Sequence, residues 1–249
     1  MDRSVAGVPS VVDPHTGGLS RTPGLPGWEE PGVRTALAER LGTDICFLND
    51  ANLAAHAELH HGAAVGVDNF VLLWVDEGVG AAIVTQGVVH TGASGQAGEV
   101  YGIAMPGSRG GKPLHFHETV DAEALLALAA AHGITADDAV AAMGVARSGA
   151  AGAPGVRLLS EYAERLAAGL AVLVSVLDPE LVVLSGELLA AGGERLRALT
   201  GEALPHLVPR RPRLALSHVP DDPVVAGALS VALQDVRSAV LRLGHPEHW

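Results

Sequence analysis

One cysteine and almost no lysine are what this sequence withholds first. Cys46 is the sole thiol, so no intrachain disulfide can form and no cysteine-built zinc site can be assembled. Set in the apolar run Ile45-Cys46-Phe47-Leu48, it reads as an inert buried thiol. Cations are outnumbered, with 16 Lys plus Arg against 28 Asp plus Glu, a net charge of −12, and Lys112 as the only lysine. Phosphate contacts need clustered positive charge, so the chain is not expected to grip nucleic acid by itself. The one basic cluster, Arg210-Arg211-Pro212-Arg213, reads as a solvated turn. No apolar run of about 18 residues is free of both charge and glycine, which argues against a membrane-spanning helix. The N-terminus also lacks the basic-then-apolar pattern of a secretory signal. A soluble, cytoplasmic protein is the expectation.

What is present is apolar material, 48% of 249 residues, enough for one sizeable core or two modest lobes. The chain opens with the end of a strand around Val5 to Val12 and an irregular stretch through Trp28. Helical spacing follows over 31–41, with Gly42 as its stop signal. A short buried strand is expected over 45–48 and a helix over 51–60, capped by Asn49 or Asp50. Strands at 70–75 and 80–85 flank Asp76-Glu77-Gly78-Val79 as a hairpin, a third strand lies near 88–90, and 106–117 reads as a Gly/Pro loop.

Helices dominate thereafter, at 120–132 and 136–146. Leu159, Tyr162, Leu166, Leu170, Leu173 and Leu177 recur in steps of three and four, one face of a long helix that belongs in the core. A buried strand at 181–184, a helix at 192–204, a strand at 214–218 and a helix from Asp222-Pro223 to about 243 complete the pattern. Strands alternating with helices indicate an α/β or mixed-sheet fold.

The run Leu48-Asn49-Asp50-Ala51-Asn52 carries the chemistry. A carboxamide and a carboxylate stand side by side where an apolar strand gives way to a helix. Such a pair can hold a polyhydroxylated ligand, and the carboxylate can act as a general base. Asn52, one step inside the helix, reads as structural, Trp28 as a packing residue, and His56, His60 and His61 carry no assigned role.

Several segments, in order, resemble the ROK family (repressors, open reading frames and sugar kinases) of the actin-like ATPase superfamily. They are Gly7-Val8-Pro9 with Val12-Asp13, Leu25-Pro26-Gly27-Trp28, Asn49-Asp50-Ala51-Asn52, the hairpin at Gly78 and Gly80, Gly92-Ala93-Ser94-Gly95-Gln96-Ala97-Gly98-Glu99, and Asp178-Pro179 with Val182-Val183-Leu184-Ser185-Gly186. The resemblance implies a two-lobed actin-like (ribonuclease H-like) α/β fold. It implies that Asp50 is the base taking the proton of a sugar hydroxyl, with Asn49 and Glu99 binding sugar hydroxyls. Gly78 and Gly80 would approach a nucleotide phosphate, and Gly186 would lie in the adenosine-contacting segment.

The departures from the family pattern narrow that expectation. ROK sugar kinases begin with an Asp-x-Gly-Gly-Thr phosphate turn that occurs nowhere in this sequence, and the first lobe reads as truncated. Where the family has Gly-Thr-Gly in the hairpin, this chain has Asp76-Glu77-Gly78, whose carboxylates would repel ATP oxygens. After Ala97-Gly98-Glu99 the family's Gly-His and Cys-rich zinc loop are replaced by Val100-Tyr101-Gly102. His115 and His117, with Glu118, stand where that loop should be and read as surface residues, so no zinc is expected.

The reading is a truncated first lobe over 1–66 with a returning terminal helix at 222–249, and a second lobe over 67–221. Its function is sugar sensing, as in ROK transcriptional regulators, without kinase activity and without a DNA-binding module of its own. A homo-oligomer is expected, and no cofactor. The alternatives are an ATP- and Mg-dependent sugar kinase of the glucokinase type, with Asp50 catalytic, and a remnant that binds nothing.

Overall fold

The computed structural model describes residues 3–21, 25–109, 112–219 and 222–243. Residues 1–2, 22–24, 110–111, 220–221 and 244–249, which the lobe and loop boundaries above include, lie outside the described residues. The chain divides into two compact units. The first takes the described residues of Met1–Val65, Val89–Ala97 and His218–Trp249, and the second those of Gly66–Val88 and Gly98–Ser217. The stretch Val89–Ala97, read from the sequence as part of the second lobe, groups with the first unit.

In the first unit, β1 (Arg3–Val8) and β2 (Asp44–Asn49) pair in parallel, from Arg3 opposite Asp44 to Val8 opposite Asn49. The helix α1 (Val33–Leu41) connects them. It ends where Gly42 enters the left-handed region at φ 67°, its N–H returning to the Ala38 carbonyl, the role glycine takes at a helix C-terminus. Val8, Ile45 and Phe47 form a small core, with Trp28 tilted against Phe47 at 5.9 Å between ring centroids.

Two helices complete the unit, α2 (Asp50–His61) and α8 (Pro223–Leu243). Leu53, Ala54, Ala55 and Ala57 of α2 are fully buried, and α8 packs on α2 and, of the two strands, chiefly on β1. A methyl built on Gly227 of α8 would lie 1.8 Å from the Leu53 carbonyl oxygen, so the two helix backbones nearly touch. As the sequence indicated, Asp222 caps α8, its Oδ1 accepting from the N–H groups of Val224 (2.8 Å) and Val225 (3.2 Å).

The second unit is built on β4, β3, β8 and β9, four strands of a five-stranded mixed sheet in the order β5-β4-β3-β8-β9, Val89 and His90 of β5 being grouped with the first unit. The strands are β3 (Phe70–Val75), β4 (Val79–Thr85), β5 (Val88–His90), β8 (Leu181–Ser185) and β9 (Arg213–Leu216). β3 runs antiparallel to β4 and parallel to β8, which is parallel to β9. Against this sheet and each other pack α4 (Ala122–Ala131), α5 (Ala139–Ser148), α6 (Ala153–Leu177) and α7 (Glu187–Ala203). The stripe read from the sequence on α6 is core: Leu159, Tyr162, Leu166 and Leu170 are fully buried. Asp178, at φ 45°, terminates α6, and its carboxylate receives Arg210 (Nη2 to Oδ2, 2.8 Å). One arginine of the basic turn thus has a carboxylate partner.

Two expectations are corrected. The segment read as a loop over 106–117 instead forms the antiparallel pair β6 (Ala104–Arg109) and β7 (Lys112–His115), followed by the single turn α3 (His117–Val120). A register shift between Met105 and Ser108 breaks the alternation that would have betrayed it. The helix α7 begins at Glu187 and not near Gly192, because the Gly192-Gly193 pair that looks like a start is a kink, with Gly193 at φ 59°.

Candidate functional site

Asn49 and Asp50 occupy the end of β2 and the first residue of α2. Asn49 is the cap: its Oδ1 accepts from the Asn52 N–H (3.1 Å), and its Nδ2 donates to the Ser10 carbonyl (3.4 Å). Ser10 is itself buried and donates to the Ser20 carbonyl at 2.9 Å, so the corner is tied to the segment after β1. Of the two candidate caps, therefore, Asn49 does the capping and Asp50 is left for other work.

The Asp50 carboxylate accepts from the adjacent Ala51 N–H at 2.7 Å and meets no cationic side chain among the described residues. Burial raises its pKa above the ordinary carboxylate value, against the opposing pull of main-chain N–H groups. A partly buried carboxyl at a helix start, raised by desolvation, is a fitting acceptor for a hydroxyl proton. Deeper along α2, the Oδ1 of Asn52 and the Nδ1 of His56 are buried without hydrogen-bond partners.

Glu99 belongs to the second unit, at the residue preceding a single 3-10 turn, Val100–Gly102. The glycine before it fixes its place. Gly98 has φ 99°, its carbonyl accepts from the Ala81 N–H at 2.9 Å, and a side chain there would strike the Ala81 carbonyl oxygen at 1.9 Å. Only glycine can bring Glu99 against β4 in this way.

The other glycines divide. Gly78 is an exposed hairpin turn, its carbonyl accepting from the Asp76 N–H (2.9 Å), and Gly80 lies within β4 opposite Trp74. Gly186, at φ 100°, sits against the end of β3, where a side chain would lie 2.4 Å from the Val75 carbonyl oxygen.

Sequence reasoning missed what Asp76 does. Its Oδ1 accepts from the Leu188 N–H at 3.1 Å, and its carbonyl accepts from the Ala122 N–H at 3.0 Å. The hairpin carboxylate is thus turned onto the N-terminus of α7, which has no cap of its own at Gly186. Burial raises its pKa, partly offset by the N–H groups of Leu188 and Glu187. Only the separation of 112 residues hid this contact.

In the β6–β7 region, His115 Nδ1 lies 3.2 Å from Glu118 Oε2, and His117 Nδ1 lies 3.0 Å from the Tyr101 carbonyl. The two imidazoles stack at 6.1 Å and 18° between planes. Among the described residues no group of three or more His, Cys, Asp or Glu side chains is arranged to hold a metal ion. A tetrahedral zinc site needs a fuller donor set than this pair supplies.

The family model for the ROK family matches residues 3–235. The chain belongs to the ROK family. Among its relatives is the bifunctional enzyme NanE/NanK of Brucella melitensis, 32% identical over 77% of this chain and 36% of that protein. The chain spans between 35% and 61% of the length of the first three curated relatives it matches. Among solved structures, the ROK hexokinase from Thermus thermophilus is 28% identical, with a TM-score of 0.76 over 93% of this chain and 78% of that one. A ROK transcriptional regulator, a homologue of the E. coli MLC protein, superposes with a TM-score of 0.77 at 21% identity, covering 93% and 62%. The mixed α/β architecture is therefore the actin-like ATPase fold of the ROK sugar kinases. No helix among the described residues is long and apolar enough to cross a membrane.

Proposed function

We propose that this ROK chain binds a monosaccharide through the β2–α2 corner, with Asp50 accepting from a sugar hydroxyl and Asn49 holding the corner in shape. The observation that carries the reading is the Asp50 carboxylate, raised by burial and facing no cation. Glu99, placed by Gly98 against β4 in the second unit, is read by itself as a carboxylate able to accept charge-assisted bonds from hydroxyls. The proposed role is that of a cytoplasmic sugar sensor without a resident metal.

Phosphoryl transfer is not part of the leading reading. It relies on donors placed around the phosphates, whereas the hairpin offers Asp76 and Glu77, and Asp76 already fills the first turn of α7. ATP does not fit that donor set. The rival, a sugar kinase, is favoured by the sugar kinases among the relatives, such as the β-glucoside kinase of Klebsiella pneumoniae. In that reading Asp50 takes the proton of the attacking hydroxyl.

Thermal-shift and calorimetric titrations with glucose, mannose, xylose and N-acetylglucosamine test the proposal, alongside a coupled assay for ADP. At least one sugar should stabilise the protein, by about 2.7 kcal/mol at a hundredfold excess over Kd, and Asp50→Asn should abolish the shift without ADP appearing in either protein. Because the folded state raises the Asp50 pKa, its ionised form at neutral pH opposes folding. The unliganded Asp50→Asn variant should therefore melt above wild type. Silence with every sugar would end the binding proposal, and Asp50-dependent ADP release would install the kinase reading in its place.

A further inference from the structure

The first unit carries a cleft that the β2–α2 corner does not use. Both of its walls come from one continuous stretch, 26–40, so its shape is local to that stretch. One wall is the turn Leu25-Pro26-Gly27-Trp28, closed by the Trp28 N–H donating to the Leu25 carbonyl at 3.2 Å. Proline at its second position and glycine at its third, with Gly27 at φ 85°, are what a type II turn selects. A methyl built on Gly27 would meet nothing within 4 Å, so backbone conformation and not crowding requires glycine there.

The other wall is α1. Val33, Ala36, Leu37 and Arg40 recur at i, i+3, i+4 and i+7, one stripe of the helix. Trp28 and Leu37 also pack against the small core of Val8, Ile45 and Phe47, which holds the floor of the cleft in place. Ala36, short among longer side chains, leaves the hollow, which is about 330 Å3 and open to solvent. That is the small end of ligand clefts, with room for a compact ring system.

The lining is apolar except at Arg40, and that guanidinium is spare. Arg21, Arg165, Arg197 and Arg210 each lie against a carboxylate, whereas Arg40 has no acidic partner among the described residues. In a chain of net charge −12 it is a local point of positive potential.

The occupant follows from this composition. A sugar's hydroxyls would find almost nothing to bond on such a lining, and burying them unpaired is costly. A phosphate dianion would set two charges against one guanidinium, in a field already negative. A carboxylate matches the guanidinium fork in charge and in geometry. The flat indole of Trp28 suits a ring better than a flexible acyl chain, whose ordering costs more. We infer that this cleft binds an aryl carboxylate, its ring against Trp28 and Leu37 and its carboxylate on Arg40. The site is independent of the monosaccharide proposed for the β2–α2 corner.

Nitrogen–proton correlation spectra of the full chain test this through the Trp28 indole N–H, assigned by its loss in Trp28→Phe. Naphthoate should move that signal along a saturable curve. Naphthamide, the same shape without the charge, should bind wild type about tenfold more weakly, the worth of a hydrogen bond to a charged group. Arg40→Gln should weaken naphthoate by about the same factor and leave naphthamide unchanged. Ala36→Leu, at an exposed position and with a good helix former, should fill the hollow and abolish the shift with helix content retained. If that variant fails to fold, the acid–amide comparison on wild type and Arg40→Gln decides alone. No saturable shift up to the solubility of naphthoate, equal affinity for acid and amide in wild type, octanoate binding more tightly than naphthoate, or a shift that survives in folded Ala36→Leu would each overturn the inference.

Discussion

Replacing Gly227 by alanine should loosen the contact that seats α8 on α2. The added methyl would lie 1.8 Å from the Leu53 carbonyl oxygen and 2.5 Å from its carbon. Ordinary carbon–oxygen contacts begin at about 3.3 Å, so the helices must part by roughly 1.5 Å at that point. Alanine gains about 0.8–1.0 kcal/mol over glycine as a helix former, while overfilling packed space costs typically ~1–3 kcal/mol. Here the obstacle is backbone, flanked by the fully buried Leu53, Ala54, Ala55 and Ala57, and cannot rotate away. A net loss of about 2 kcal/mol follows, or ~4–8 °C in Tm for a chain of this size.

Gly201 provides the control. It lies inside α7 with nothing within 4 Å of the position its methyl would take. Gly201→Ala should therefore stabilise by roughly 0.5–1 kcal/mol. Differential scanning calorimetry on the two variants reads both signs. A Gly227→Ala protein melting at or above wild type, with Gly201→Ala behaving as expected, would refute the close helix approach.

His56 is held below its ordinary pKa, first by burial and then by the charge of neighbouring His60. The unfolded chain thus binds the proton more readily, so stability is full above the ordinary imidazole range and is lost as the pH falls through the folded pKa. His56→Leu should flatten the fall in Tm between about pH 7.5 and about pH 5.5, and an unchanged slope would show that another group sets it. Tyr162 is fully buried, and its hydroxyl donates to the Val120 carbonyl. Tyr162→Phe should cost about 1–3 kcal/mol by leaving that acceptor unsatisfied, measured by urea unfolding. Asn49→Ala, which removes the cap of α2, should cost about 0.5–2 kcal/mol, seen by calorimetry, and should weaken the proposed sugar binding with it.

The elements whose signals are local were legible. Gly42 after a periodic run, Asp222 before Pro223 and the leucine stripe of α6 each announced their structure within a few residues. At the candidate site the local structure was legible, since the strand ending in Asn49 and the alanine-rich helix opening at Asp50 stand where the sequence put them. What escaped was set by distance or by irregularity. The bulge between Met105 and Ser108 spoiled the alternation of β6, and Gly193 disguised a kink as a helix start. Asp76 met its partner Leu188 only through the folded chain, so no local pattern could show that the hairpin carboxylate belongs to a helix terminus.

The interleaving of the two units has a consequence for how the protein is made. The chain passes between them after Val65, Val88, Ala97 and Ser217. Everything the second unit requires has been synthesised by Ser217, whereas the first has its strands and α2 early but receives α8 last. Roughly 160 residues separate the end of α2 from the start of α8, which at about 5–20 residues per second is ~10–30 s of translation. Throughout that interval the seat on α2 that will take Gly227 stands open, a window in which the nascent chain depends on holding or on speed.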